Sequence, residues 1–143
     1  MATAALEAKR RVHVLLDEAL TGQAIDVTYG PMRNPPRSWA FVGEVTYSDS
    51  EWAAVGARGR KETFDVSVTV NVILPGGNAA DTENKTMGFA DLFETAVRAD
   101  PTLGGLAPAG VAVIPKRLRS QPSGTDTFEG QWDAVVRITG ARI

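Results

Sequence analysis

The sequence contains no cysteine and a single histidine, His13. Disulfides are therefore excluded, and so are the thiolate and imidazole clusters that hold zinc. A cysteine-free chain suits a reducing compartment, or a particle assembled inside a cell. Net charge is small, −2 at neutral pH, so bulk electrostatics recruit neither nucleic acid nor an anionic membrane. No stretch approaches the ~20 apolar residues of a membrane span. Residues 1–20 do not read as a signal peptide, because Glu7, Lys9, Arg10, Arg11 and His13 interrupt any apolar run.

What is present is ordinary for a globular fold: 143 residues, 43% hydrophobic and 22% charged. That length predicts one domain, residues 1–143, with enough core to need no staples. The chain is organised around residues 61–75, where Phe64, Val66, Val68, Val70, Val72 and Leu74 alternate with Asp65, Ser67, Thr69 and Asn71. Period-two alternation predicts a long half-buried strand, stopped at Pro75-Gly76-Gly77. Its length predicts that one end projects beyond the core as a hairpin or loop.

Around that strand, apolar residues at helical spacing predict a helix over residues 4–20, ending near Gly22. Residues 24–29 read as a short strand and 30–38 as a proline-bearing loop. Trp39, Phe41, Val45 and Tyr47 predict a strand over 39–47 with a bulge at Gly43. Ser48-Asp49-Ser50 is turn chemistry, 51–55 a short extended piece, and 56–61 a glycine-rich basic loop. A second helix is expected from about residue 83 to 99, capped by Asp81 or Thr82, with Met87, Ala90, Phe93, Ala96 and Val97 as its stripe, widened by Phe89 and Leu92. Val111, Val113 and Ile114 suggest a strand broken at Pro115. A turn over 120–125 and a last strand over 128–138 complete the order. The fold class is α+β, one mainly antiparallel sheet with two helices on its apolar face.

Motifs that carry chemistry are sparse. The glycine clusters at 56–61 and 104–110 lack the spacing and the helix placement of a phosphate cradle. The acidic pairs Asp49/Glu51, Asp81/Glu83 and Asp91/Glu94 read as solvated surface. Ser48 and Ser50 have only the distant His13 as a possible base, and His13 itself falls on or beside a polar helix face. Two basic clusters stand out: Arg58, Arg60 and Lys61 in one segment, and Lys116, Arg117 and Arg119 in another. Such clusters meet acidic protein surface or phosphate, although the plainest reading is a solvated face. No aromatic interleaving marks a base-stacking platform. Ser67, Thr69 and Asn71 give the long strand an uncharged polar face, which suits cover by a neighbouring subunit.

The order of elements, the strand FDVSVTVNVIL, the helix-to-loop segment MGFADLFETAVRADPTLGG and the closing QWDAVVRITGARI resemble the tail terminator (tail completion) proteins of long-tailed bacteriophages. Residues 89–106 carry most of the likeness, with Arg98, Asp100, Pro101, Leu103 and Gly104 in the family's arrangement. The resemblance implies a structural virion protein of the tail or neck, assembled in the host bacterial cytoplasm. Its members form a ring, hexameric in that family, that caps the head-proximal end of the tail tube and ends tube polymerisation. The implied partners are further copies of itself, the major tail tube protein and the head–tail connector or stopper, with transient contact to DNA passing the channel and no membrane. It implies no enzyme activity, cofactor or metal. Rival readings are another neck or tail ring protein, either stopper or tube subunit, and, from a different class, a small ligand-binding domain or enzyme.

Overall fold

The computed structural model describes residues 4–31, 38–52 and 60–141. Its elements are α1 (Ala4–Ala19), β1 (Asp26–Thr28), β2 (Trp39–Trp52), β3 (Arg60–Pro75), α2 (Ala79–Ala99), β4 (Val111–Pro122) and β5 (Thr127–Ala141). The strands form one sheet in the order β1-β2-β3-β5-β4, parallel only between β1 and β2. The α+β architecture is the one the alternating and helical periods predict. β3 and β5 lie at the centre and pair along almost their whole length, from Glu62↔Ala141 to Pro75↔Thr127.

The even register of both central strands builds the core. Phe64, Val66, Val68, Val70 and Val72 meet Trp132, Ala134, Val136 and Ile138, all buried. Both helices cover this face. α1 contributes Ala5, Ala8, Val12 and Leu16, and α2 contributes Phe89, Ala90, Phe93 and Val97. Glu62 continues the same register and is also buried; its Oε2 has no hydrogen-bond partner among the described residues.

Several boundaries differ from the sequence expectation, each for a local reason. β2 does not turn at Ser48–Ser50. Its ladder with β3 runs on through Asp49↔Thr63 to Trp52↔Arg60, with a register shift between Tyr47 and Asp49 that absorbs the irregularity. Of the extended piece and basic loop expected next, residues 53–59 lie outside those described. Another shift, between Val42 and Val45, is the bulge expected at Gly43, and it exchanges the two faces of β2. Ala40 and Val42 point into the core, whereas Trp39 and Phe41 share the opposite face with their register mates Asn71 and Thr69.

α2 begins four residues before the expected 83. Its N-cap is Asn78, whose side chain accepts from the amide of Asp81 at 2.9 Å. The first turns are buried through Thr82 and Thr86, whose hydroxyls donate to the carbonyls of Asn78 and Thr82 at 2.6 and 2.7 Å. With both hydroxyls satisfied, the threonine methyls serve as apolar surface. Leu92, expected on the stripe, is exposed instead. β4 does not stop at Pro115. It occupies the sheet edge, where a missing amide costs little, and a register shift between Pro115 and Arg117 accommodates the ring.

The connection from α2 to β4 is a tight turn. The Asp100 side chain accepts from the amide of Gly104 at 2.8 Å, and the Thr102 hydroxyl accepts from the amide of Gly105 at 3.1 Å. Leu103 takes a left-handed conformation, φ 49°, while its side chain is fully buried.

Candidate protein-contact surface

The helices leave the other face of the sheet open, and there the odd register of β3 and β5 meets. Thr69 donates to Asp133 Oδ1 at 3.0 Å, and the Asn71 amide donates to Glu129 Oε1 at 2.9 Å. Gln131 Nε2 donates to both Asp133 oxygens at 3.1 Å. From β4, Arg117 reaches Asp133 Oδ2 at 3.1 Å, and Arg119 donates to Gln131 Oε1 at 3.0 Å. Further along, Arg137 grips Asp65 through two bonds of 2.9 and 3.1 Å. The hydrogen bond from Arg137, and then the Asp65 charge, hold the guanidinium pKa above its usual value.

This arrangement explains why Ser67, Thr69 and Asn71, rather than lysine or glutamate, occupy the middle of β3 on its open face. The strand is central, and its hydroxyl and amide groups supply donors to carboxylates that project from β5. The sequence shows polar odd positions on each strand separately; only the β3–β5 register shows that they form one network. A shallow hollow of about 350 Å³ opens over it, lined by Ser67, Thr69, Lys116, Arg117, Gln131 and Asp133 among others. Toward β2 the face turns aromatic. Trp39 and Phe41 stack at 4.4 Å, and the Trp39 indole donates to the Thr28 hydroxyl at 2.9 Å.

The two basic clusters are not brought together. Arg58 lies outside the described residues, and Arg60 and Lys61 open β3, paired through the backbone with Trp52 and Glu51. Lys116, Arg117 and Arg119 are exposed on β4, level with Gln131 and Asp133 and hence with Thr69 and Asn71. From Lys61 to Thr69 along β3 is roughly 26 Å at the usual strand rise. The backbone positions of Arg60 and Lys61 thus lie well apart from the β4 cluster.

Other residues singled out by the sequence take structural roles. His13 meets Tyr29 edge-on at 5.5 Å, and Lys9 lies 4.5 Å above the same ring. Asp81 completes the α2 cap, Glu83 accepts from Ser120 at 2.9 Å, and Glu94 pairs with Arg98 at 3.2 Å. A second hollow, about 370 Å³, lies between the end of α2 and the start of β4, lined by Glu94, Val97, Arg98, Pro101 and Val111–Val113. No helix among the described residues is long and apolar enough to cross a membrane.

No family model and no curated protein matches the chain. Among solved structures, a chain from one described as the virion of native gene transfer agent (GTA) particle is similar in fold. The alignment covers 96% of this chain and 93% of that one, at 13% identity and a TM-score of 0.44. A likeness of that degree carries no functional weight.

Proposed function

We propose that this chain is a structural subunit of a long-tailed phage particle, the tail terminator. It forms a ring on the head-proximal end of the tail tube, ends tube growth and offers its far side to the head connector. The reading assigns the chain no catalytic step and no cofactor. The observation that carries it is the segment 89–106, where the sequence likeness to the family is strongest. Asp100, Leu103 and Gly104 there form one closed turn that joins both helices and the sheet edge, with Leu103 buried and Arg11 bonded to its carbonyl. The architecture supports the same reading. Both helices lie on one sheet face, leaving a broad polar face and the basic β4 edge for protein contact.

A ring of identical chains closes through heterologous contacts. Growth ends because one side matches the last tube ring and the other does not. Electron microscopy of particles from a deletion strain, with and without the restored gene, tests this. Without the chain, tails should be of abnormal length and unjoined to heads; with it, averaged images of the neck should show a sixfold ring. A different symmetry, or no copy of the chain in the neck, overturns the proposal. Open stacks of the purified chain by native mass spectrometry and negative stain would mark a tube subunit instead.

A further inference from the structure

The two edges of the sheet carry opposite charge. β4, at one edge, contains Lys116, Arg117 and Arg119 and no acid. At the other edge β1 covers β2 only from Trp39 to Phe41, so the rest of β2 has no strand partner on its outer side among the described residues. β2 contains Glu44, Asp49 and Glu51 and no base. Glu44 and Lys116 are both exposed and have no ion-pair partner among the described residues. They also lie near one row of the sheet. Val68 is the register mate of both Val42 and Ala134, and Ala134 is the mate of Pro115. Each edge further exposes a large apolar side chain on the helix-covered side: Leu118, 41% exposed, between Arg117 and Arg119, and Tyr47, 52% exposed, beyond Glu44.

We infer that the β4 edge of one copy docks on the outer β2 edge of the next, head to tail, with Lys116 facing Glu44. The occupant of each edge is thus a second copy of this chain. Opposite charge on opposite edges rules the contact heterologous, since an isologous pairing would set like charge against like. The contact is made by side chains rather than by a continuous backbone ladder. Pro115 and the irregularity beside it, with basic residues around them, are the devices that keep an edge from pairing as a strand. Exposed ion pairs are weak and screened by salt. The free chain is therefore monomeric or weakly associated in dilute solution, and salt loosens it further. The inference rests on the reading of the chain as a ring-forming subunit and names the surfaces that ring uses.

The absence of cysteine allows a direct test. A Glu44→Cys/Lys116→Cys chain, oxidised at millimolar concentration in low salt, should give a covalent ladder whose links join position 44 to position 116 in peptide maps. Each single cysteine variant should give no ladder. In a parallel series read with an amine-to-amine cross-linker, Lys116→Glu and Glu44→Lys should each lose the oligomers of the parent. The Glu44→Lys/Lys116→Glu double reversal should regain them. Homotypic 44–44 or 116–116 links, or no ladder at all, overturn the inference, as does a double reversal that regains nothing. If the ladder fails while the neck still shows a ring of this chain, only the edge assignment falls. If the ladder forms but the neck holds no copy, the terminator reading falls and the edge contact stands.

Discussion

Arg11 on α1 donates a hydrogen bond to the backbone carbonyl of Leu103, 92 positions further along the chain. The same guanidinium pairs with Glu7 at 3.0 Å, one helical turn back. One side chain thus fastens the first helix to the turn that follows the second. Leu103 needs that support, because its conformation is left-handed while its side chain is fully buried.

Arg11→Ala should lower stability by about 1–3 kcal/mol, because the carbonyl loses a charged donor that water replaces poorly in this part-buried site. Glu7→Gln should shift stability by only ~0.3–0.5 kcal/mol, the usual value of an exposed pair at this spacing. Urea unfolding of both variants separates the two contacts. Equal effects would place the stabilisation in the ion pair rather than in the Leu103 carbonyl.

At Gly130, β5 comes close to α2. A Cβ there would lie 2.5 Å from Thr86 Oγ1 and 2.7 Å from Thr82 Cγ2. Gly130→Ala should therefore cost about 1–3 kcal/mol through overpacking. In a Thr86→Ala background the same change should cost less, and a double-mutant cycle by thermal denaturation reads the difference. Strictly additive costs would show that the helix and strand do not meet there.

Trp132→Ala and Val68→Asp should each abolish folding or leave aggregate. Both side chains are buried on the shared face of β3 and β5. Truncating a core aromatic costs ~3–5 kcal/mol against a total stability of ~5–15. Circular dichroism melts should show the loss. A Trp132→Ala melt matching the parent would mean the strand register is off by one residue.

Reversing Arg58, Arg60 and Lys61 to glutamate should leave the chain folded but impair ring closure or docking. Three cations so close together repel one another when copies crowd, unless acidic protein surface or phosphate faces them. Electron microscopy of particles complemented with the triple reversal should show abnormal tail lengths or unjoined tails. Normal length and joining would remove this segment from the contact surface. Normal assembly with slowed genome ejection would make DNA its partner.

The β3–β5 pair was legible in the sequence because a strand with one buried face must alternate, and nothing interrupts Phe64 to Val72 or Trp132 to Ile138. The end of α2 and the turn after it were legible for a similar reason, since a helix stop and a glycine turn are written in local residue types. Other features depended on neighbours that no local pattern names. Trp39 and Phe41 read as one face with Val45 and Tyr47 but lie on the opposite face of the sheet, because the bulge between Val42 and Val45 reverses the strand's parity. Thr82 reads as a candidate cap and Thr86 belongs to no apolar stripe, yet both are buried, because their hydroxyls bond within the helix and Gly130 gives them room. Pro115 reads as a stop but sits inside a strand, because β4 is an edge. The sequence also displays Glu44 and Lys116 as two unrelated charges. Only the strand order β1-β2-β3-β5-β4 sets them on opposite edges of one sheet, since which edge a strand occupies is decided by long-range pairing and not by its own residues.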